Sequence, residues 1–546
     1  MSQKMNSNLE IEKDWKLSSL AGSIYSFFVR KFDGEQGTAL AQLARELVMQ
    51  TGNGSSHLVS EQAEVIYKDW SSLPAVGRED DIHPLVRTID NKLYFRRFFE
   101  YEKKVAVVLA KRVENQGNES SAQLGMAVFD SLDEQQKVAV QTALQKDLLL
   151  LTGGPGTGKT RTIVSILLAQ LLNKPNTRIA LAAPTGKAAF RMRQSILSAI
   201  NSFEIEDSIR SALFDCSRST TLHRLLGSKL GSVDFRRNEQ NPLPHDMVIV
   251  DEASMVDLPL MAKLCASLRE ESKLVLVGDA DQLAPVHGGA VFSGLVKASV
   301  SDKELSDNLV RLSVNHRRSR SPTASVLGDL CDAIRDGRSN DTMEFVHTDT
   351  DHISLFDKLD DTSIDQFILE GFDNLANSKS PDRALSALAD FRILCPHNQG
   401  IYGVENWNRR AEGLLPSGKL IPSPVVIGVN DYTVGLFNGD DGVRVGKSTY
   451  FWAEEGTREV AHSRLPSHQL GYATSIHRSQ GSEFDTVLIV LPPADARLLT
   501  RELLYVAASR AKRRIILLGD TEALKAAVER NEESRSGIYD LLKCSI

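Results

Sequence analysis

The sequence predicts an α/β protein built on parallel sheets, on three observations. Short apolar runs at 148–151, 178–183, 247–250 and 273–277 read as buried strands, and each ends in a turn of small or polar residues. One of these turns, Gly153-Gly154-Pro155-Gly156-Thr157-Gly158-Lys159-Thr160, fits G-x-x-x-x-G-K-[ST] at every fixed position. The second half has no such loop, yet it repeats the texture, with core strands expected at 391–395, 486–491 and 514–518.

The glycine-rich turn sets the chemistry. Behind it Ile163, Ile166, Leu167, Leu171 and Leu172 recur at helical spacing, so a helix starts near Lys159. Glycines let the backbone curl with its N–H groups inward, and the helix N-terminus adds partial positive charge. Lys159 would reach the β- and γ-phosphates of a nucleotide, and the Thr160 hydroxyl would hold magnesium.

A chain of 546 residues suggests about three or four domains by length. Its 42% hydrophobic and 25% charged content is ordinary for a globular protein. The formal charge of −7 excludes a chain basic all over, though not a local basic groove. The N-terminus carries no apolar h-region, and no run reaches the roughly eighteen apolar residues of a membrane span. A cytoplasmic protein with no membrane partner is expected. Five scattered cysteines without a C-x-x-C pair fit reduced, packed thiols.

In chain order, 39–49 and 61–70 look helical. The segment 94–113 mixes aromatics with Arg96, Arg97, Lys103, Lys104, Lys111 and Arg112. It reads as an amphipathic helix with a solvated charged face, or as a docking or nucleic-acid-facing one. The polar stretch 114–121 reads as a linker, which places a domain boundary near 120. Gln136 stands shortly before the phosphate loop, where its amide matches the adenine edge; by itself it is more often a surface helix residue. The strand at 178–183 runs into Pro184-Thr185-Gly186-Lys187, putting Thr185 and Lys187 at a helix start where backbone phosphates or plain capping would both use them. Thr221 and His223 repeat the same choice. Asp251 and Glu252 end the strand at 247–250: there the aspartate holds magnesium, and the glutamate orients or deprotonates the attacking water. Gln282 follows the next strand and suits sensing of a γ-phosphate, while the arginine cluster at 312–320 includes Arg317. Beyond it, 425–465 is rich in β-branched residues and Gly turns, the pattern of a small β-barrel insertion. Residues 472–483 are dense in hydroxyls and bases, and Arg510 lies just before a strand, as a structural arginine or as one that completes transition-state charge.

Taken in this order, GGPGTGKT, LAAPTGKAA, STTLHRLLG, VDEASM, GLFNGD and QGSEFD resemble the superfamily 1 helicases, most closely the RecD-type alpha subunits of exodeoxyribonuclease V. The resemblance covers roughly 128–520. It implies two tandem RecA-like P-loop domains (121–320 and 321–546), a β-rich, SH3-like insertion near 415–466, and a helical, partner-binding N-terminal domain (1–120). It implies ATP and Mg2+ as cofactors, 5′–3′ movement on DNA, and a heterotrimer with RecB-like and RecC-like subunits, the nuclease site lying on the RecB-like partner. By resemblance Gln136 contacts adenine and Glu483 lies near the ribose. Gly153 to Thr160, Asp251 and Glu252 bind nucleotide and metal; Gln282, Arg317 and Arg510 act on the γ-phosphate. Pro184, Thr185, Lys187, Thr221, His223, Thr474, His477 and Ser479 line the path of a single strand. Arg478 and Ser509 stand where the family usually has lysine and threonine. A non-motor nucleotide-binding architectural subunit and a stand-alone helicase are the competing readings.

Overall fold

A computed structural model describes residues 11–52, 54–114, 132–200, 206–229, 232–283, 285, 288–300, 302–316, 322–348, 351–416, 418, 421–431, 433–453, 456–531 and 536–544. The chain divides into two compact units, one of Met1–Ala280, Ala284–Val314 and Glu533–Ile546, the other of Asp281–Leu283 and Asn315–Glu532.

The first unit opens with helices Ile11–Lys31 and Gly34–Gly52. They are followed by a four-stranded sheet, β1 (His57–Leu58), β2 (Val76–Gly77), β3 (Leu85–Arg87) and β4 (Leu93–Phe95), in the order β1-β4-β3-β2. The N-terminal region, expected from sequence to be helical, holds a small sheet beside its helices. Strands of two or three residues are too short to display a period of two, so patterning could not reveal them. Helix Arg96–Glu114 follows, burying Phe99, Val105, Ala106, Leu109 and Val113. Its cations largely serve the fold. Arg112 donates to the carbonyls of Val108, Arg269 and Ser272, and Lys104 and Lys111 pair with Glu239 and Glu270. The linker 114–121 lies, but for Glu114, outside the described residues.

Six parallel strands form the main sheet of this unit: β5 (Leu148–Gly153), β6 (Ile179–Ala183), β7 (Thr220–Thr221), β8 (Met247–Val250), β9 (Lys273–Gly278) and β10 (Leu309–Leu312), in the order β10-β5-β9-β8-β6-β7. A parallel sheet covered on both faces needs apolar residues at every position, which is why LLLL, IALAA and MVIV carry no alternation. Alternate residues nevertheless feed separate cores. Leu148, Leu150, Val248, Val250, Leu274 and Leu276 pack on one face, and Leu149, Leu151, Met247, Ile249, Val275 and Val277 on the other. Each fully buried side chain of this kind contributes about 1.5–3 kcal/mol. The last helix, Ile538–Lys543, also belongs to this unit although it follows the second in sequence. Its Ile538 and Leu542 are wholly buried in the first of these cores.

The second unit repeats the plan with five parallel strands. It contains β11 (Ile353–Phe356) and β12 (Phe391–Cys395), then an antiparallel group of β13 (Ser423–Ile427), β14 (Asp441–Val445), β15 (Ser448–Trp452), β16 (Thr457–Ala461) and β17 (His468–Leu470). The chain then returns through β18 (Ala473–Ser475), β19 (Phe484–Val490) and β20 (Ala511–Leu518). The parallel order is β11-β20-β19-β12-β18, and the antiparallel order β16-β15-β14-β13-β17. Ile393, Leu488, Val490, Ile516 and Leu518 face one core, while Leu394, Val487, Ile489, Ile515 and Leu517 face another. The β-rich segment thus exists as a separate five-stranded sheet between β12 and β18.

Candidate nucleotide and nucleic-acid site

Strand β5 ends at Gly153, and helix Lys159–Asn173 begins six residues later. The intervening loop needs its glycines. Gly156 and Gly158 adopt φ of +81° and +86°, and a Cβ at Gly153 would stand 2.7 Å from the Thr157 hydroxyl. Thr157 donates to the Gly154 carbonyl at 2.8 Å, closing the loop on itself. The Lys159 ammonium lies over the same turn, 2.5 Å from Gly153 O and 3.2 Å from Gly154 O. Thr160 follows in the first helical turn, partly exposed. Thr152, which sequence reasoning passed over, accepts from the Ala280 amide at 3.2 Å and ties the root of the loop to the end of β9.

Asp251 and Glu252 leave the carboxyl end of β8. The Asp251 amide donates to Ala182 O, and its carboxylate accepts from the Glu252 amide at 2.9 Å. Burial pushes the Asp251 carboxyl up, the Glu252 charge adds to that, and Lys159 opposes both. These three groups therefore share one electrostatic environment, although 90-odd positions of sequence separate the lysine from the acids. Glu252 holds a left-handed backbone, φ +53°, a conformation that non-glycine residues seldom adopt. Its Oε2 is buried with no protein partner. The neighbouring Ser254 hydroxyl is likewise buried and unmatched, and only its place beside Asp-Glu could have flagged it.

Gln136 lies on helix Glu134–Gln145 and is 1% exposed. Its backbone N–H donates to the Asp133 carboxylate at 2.8 Å, and its Oε1 accepts from the Asp133 N–H, so half of the side chain serves a capping box. Its Nε2 is buried with no partner. A buried amide with an unmatched donor costs about 1–3 kcal/mol. The residues present thus fit a nucleotide with a metal-bound polyphosphate: a curled loop, an ammonium, a hydroxyl, two acids and three unmatched polar atoms.

The remaining residues fall on strand ends. Pro184, Thr185 and Lys187 follow β6, and Thr221 ends and His223 follows β7, its paired neighbour in register Ala182↔Thr220. Thr185 and Thr221 cap their helices, accepting from Ala188 N at 3.2 Å and Arg224 N at 3.3 Å. Both segments emerge at the carboxyl edge that also carries the phosphate loop and Asp251, so this edge gathers the candidates of the first unit. In the second unit Thr474 is the middle residue of β18 and His477 lies on the short helix Ile476–Ser479. The Ser479 hydroxyl is buried and donates to Ile476 O at 2.7 Å. Glu483 and Arg510 lie at the opposite, amino edge of β19 and β20. Arg510 is buried: Nε donates to Val506 O, Nη1 to Ser482 O and Nη2 to the Ser509 hydroxyl. Gln282 is buried, and Arg317 lies outside the described residues. Burial pushes the Cys216 thiol up to about 11 and the Cys265 thiol up to about 12, which favours the protonated form of both. No described helix is long and apolar enough to cross a membrane.

Two parallel α/β sheets, one with a phosphate loop and a strand-terminal Asp-Glu, define a P-loop nucleotide-binding protein. Residues 136–288 match the family model described as an AAA domain, and residues 470–518 that of the UvrD-like helicase C-terminal domain. The chain belongs to the RecD family. It is 36% identical over 478 residues to the RecBCD enzyme subunit RecD of Mycobacterium tuberculosis, covering 83% of this chain and 81% of that one. The RecBCD enzyme subunit RecD of Haemophilus influenzae is 32% identical, over 75% of this chain and 72% of its own. The ATP-dependent RecD2 DNA helicase of Deinococcus radiodurans is 29% identical over 82% of this chain, which spans 58% of it.

Proposed function

We propose that this chain is an ATP-driven 5′–3′ DNA translocase and helicase, the motor subunit of a RecBCD-type enzyme acting on duplex ends in repair and recombination. The observation that carries the reading is the meeting of Lys159, Asp251 and Glu252 at one sheet edge, beside a curled glycine loop. Membership of a family whose members bear the name of a RecBCD subunit supplies the partners, RecB-like and RecC-like chains, and DNA as substrate. The nuclease chemistry is assigned to the RecB-like partner, and the complex to the cytoplasm.

In this reading the chain is organised as an N-terminal partner-binding domain (1–120) and two RecA-like domains (121–320 and 321–546). The second carries a barrel-like, SH3-like insertion, which the antiparallel sheet β13–β17 supports. Magnesium-ATP, when bound, supplies the phosphoanhydride that is cleaved. Loop amides from Gly153 to Gly158 and the Lys159 ammonium would orient the phosphates, with Thr160 and Asp251 as metal ligands. Glu252 would hold the attacking water and take its proton through the unmatched Oε2. Gln136 Nε2 would meet the adenine edge, and Glu483 the ribose. The family resemblance assigns γ-phosphate charge to Gln282, Arg317 and Arg510. Pro184, Thr185, Lys187, Thr221, His223, Thr474, His477 and Ser479 would form the strand path. Such contacts to backbone phosphate read no sequence.

The test is DNA-stimulated ATP hydrolysis and strand displacement by the chain alone and in complex, on substrates of both polarities. Lys159→Ala is expected to abolish turnover and unwinding while the thermal transition stays in place. Undiminished DNA-stimulated hydrolysis in that variant would remove the Lys159 loop from the chemistry and refute the reading.

A further inference from the structure

Strand β18 is an edge strand: β12 pairs with it on one side, in register Ile393↔Ala473, Leu394↔Thr474 and Cys395↔Ser475. Successive peptide groups of a strand point to opposite sides, so Ala473 must turn its N–H and C=O away from β12. An unpaired buried edge of this kind costs free energy comparable to a lost hydrogen bond for each group. One side chain answers it. Asn408, on helix Val404–Leu414 and 5% exposed, accepts from the Ala473 N–H at 2.8 Å. It donates to Leu470 O at 2.9 Å and to Ala473 O at 3.4 Å. The amide of Asn408 therefore stands in for a further strand, one residue long.

A second buried group holds the same stretch, residues 470–473. Arg392, on β12 and 1% exposed, donates through Nη1 to Gly471 O and lies 3.4 Å from the Asp441 carboxylate on β14. Its guanidinium sits over the Phe484 ring at 5.0 Å, and Nη2 donates to Leu388 O. The Gly471 N–H in turn donates to Pro424 O on β13. The backbone at 470–473 is thus gripped by two side chains from the parallel core and by the antiparallel sheet at once. It leads without a break into Thr474, His477 and Ser479.

We propose that Asn408 and Arg392 are positioning residues for DNA: by clamping 470–473 they set the height at which Thr474 and His477 meet the strand. They join the antiparallel sheet and the parallel core into one support for that segment. The inference rests on the strand-path reading of residues 474–479. Both residues are buried and would act on DNA through the backbone of 470–473. Their loss is expected to act on DNA affinity and to spare the nucleotide loop, which belongs to the other compact unit.

The experiment measures, in the full chain, the oligodeoxythymidylate concentration that half-saturates ATP hydrolysis, and the KM for ATP at saturating DNA. Asn408→Ala, and the isosteric Asn408→Asp, which keeps the acceptor for Ala473 N but loses both donors, are compared with His477→Ala. The expected result is a rise of about tenfold or more in half-saturating DNA for all three, worth about 1.4 kcal/mol or more, with KM for ATP within twofold of the parent. Equal changes in both constants for the Asn408 variants would mark a general loss of structure and overturn the clamp. A rise for His477→Ala with no rise for the Asn408 variants would overturn the clamp alone. An unchanged value for His477→Ala would overturn the strand-path reading itself. Hydrogen exchange on the parent chain needs no variant: amides of 471–475 should exchange as slowly as those of β12 and β19, and exchange as fast as an exposed loop would overturn the clamp.

Discussion

Glu252 shows how much one residue's setting decides. Its left-handed backbone turns the side chain away from the direction a regular strand end would give it, and Oε2 is left buried without a protein partner. Such strain is held by surrounding structure and is common where chemistry is done. If that oxygen takes the proton of the attacking water, Glu252→Gln should retain nucleotide binding and lower turnover by about 10²–10⁴. Equilibrium binding of a fluorescent ATP analogue beside steady-state hydrolysis checks this, and near-parental turnover would remove Glu252 from the chemistry. Asp246 is a different case, at the amino end of the same strand. Hydrogen bonds from Arg178 hold its carboxyl well below the ordinary range, against the effect of partial burial; the Arg178 backbone N–H and Arg269 add to the lowering. A carboxyl lowered in the folded state stabilises above its unfolded value of about 3.9, and that contribution is lost as pH falls below it toward the folded value. Since the side chain is 38% exposed, solvent screening keeps the effect small. In Asp246→Asn the melting temperature should fall less steeply on acidification below about pH 4 than in the parent. Identical pH profiles of the two proteins would show that the pair adds nothing.

Among elements, the C-terminal helix Ile538–Lys543 has the most to say about assembly of the first unit. Its Ile538 and Leu542 are fully buried among residues of the main core. Ahead of it, Ser536 Oγ and the Gly537 N–H both donate to the buried Glu102 carboxylate, at 2.8 and 3.1 Å. Space there is so tight that a Cβ on Gly537 would stand 1.9 Å from the Tyr94 hydroxyl. A six-residue helix has no stability of its own, so packing must hold it. Leu542→Ala should lower stability of the unit by about 2–5 kcal/mol, read by urea denaturation with a fluorescence probe in the first unit. No shift in midpoint would mean the helix is a dispensable appendage. The same helix illustrates a limit of sequence: IYDLLK has the right pattern for a short amphipathic helix, but nothing in it names the helix Arg96–Glu114 as a neighbour.

At the scale of the whole molecule, a formal charge of −7 must coexist with binding to a polyanion. Affinity then depends on local cations and amides at strand ends, and on the counterions they release. Half-saturating DNA should rise steeply with salt, the logarithm of affinity falling by about 0.7 per phosphate contacted on a single strand for each tenfold rise in salt. Oligonucleotides of unrelated sequence should give the same slope, and titrations of each at several salt concentrations read it. A flat salt response, or strong preference for one sequence, would contradict a path made of backbone contacts.

The sequence by itself determined the two-sheet α/β plan, the phosphate loop and the placing of Asp251 at a strand end. Each of these is local: an unbroken apolar run needs both faces covered, and a glycine loop before a helix start can curl in few ways. Tertiary structure alone decided what depends on residues far apart in the chain. It put Lys159 within electrostatic reach of Asp251, gave the Ala473 edge to Asn408 and returned the last helix to the first unit. The four short strands near the N-terminus were likewise beyond patterning, because their pairing is set by the partner strand and not by their own two or three residues.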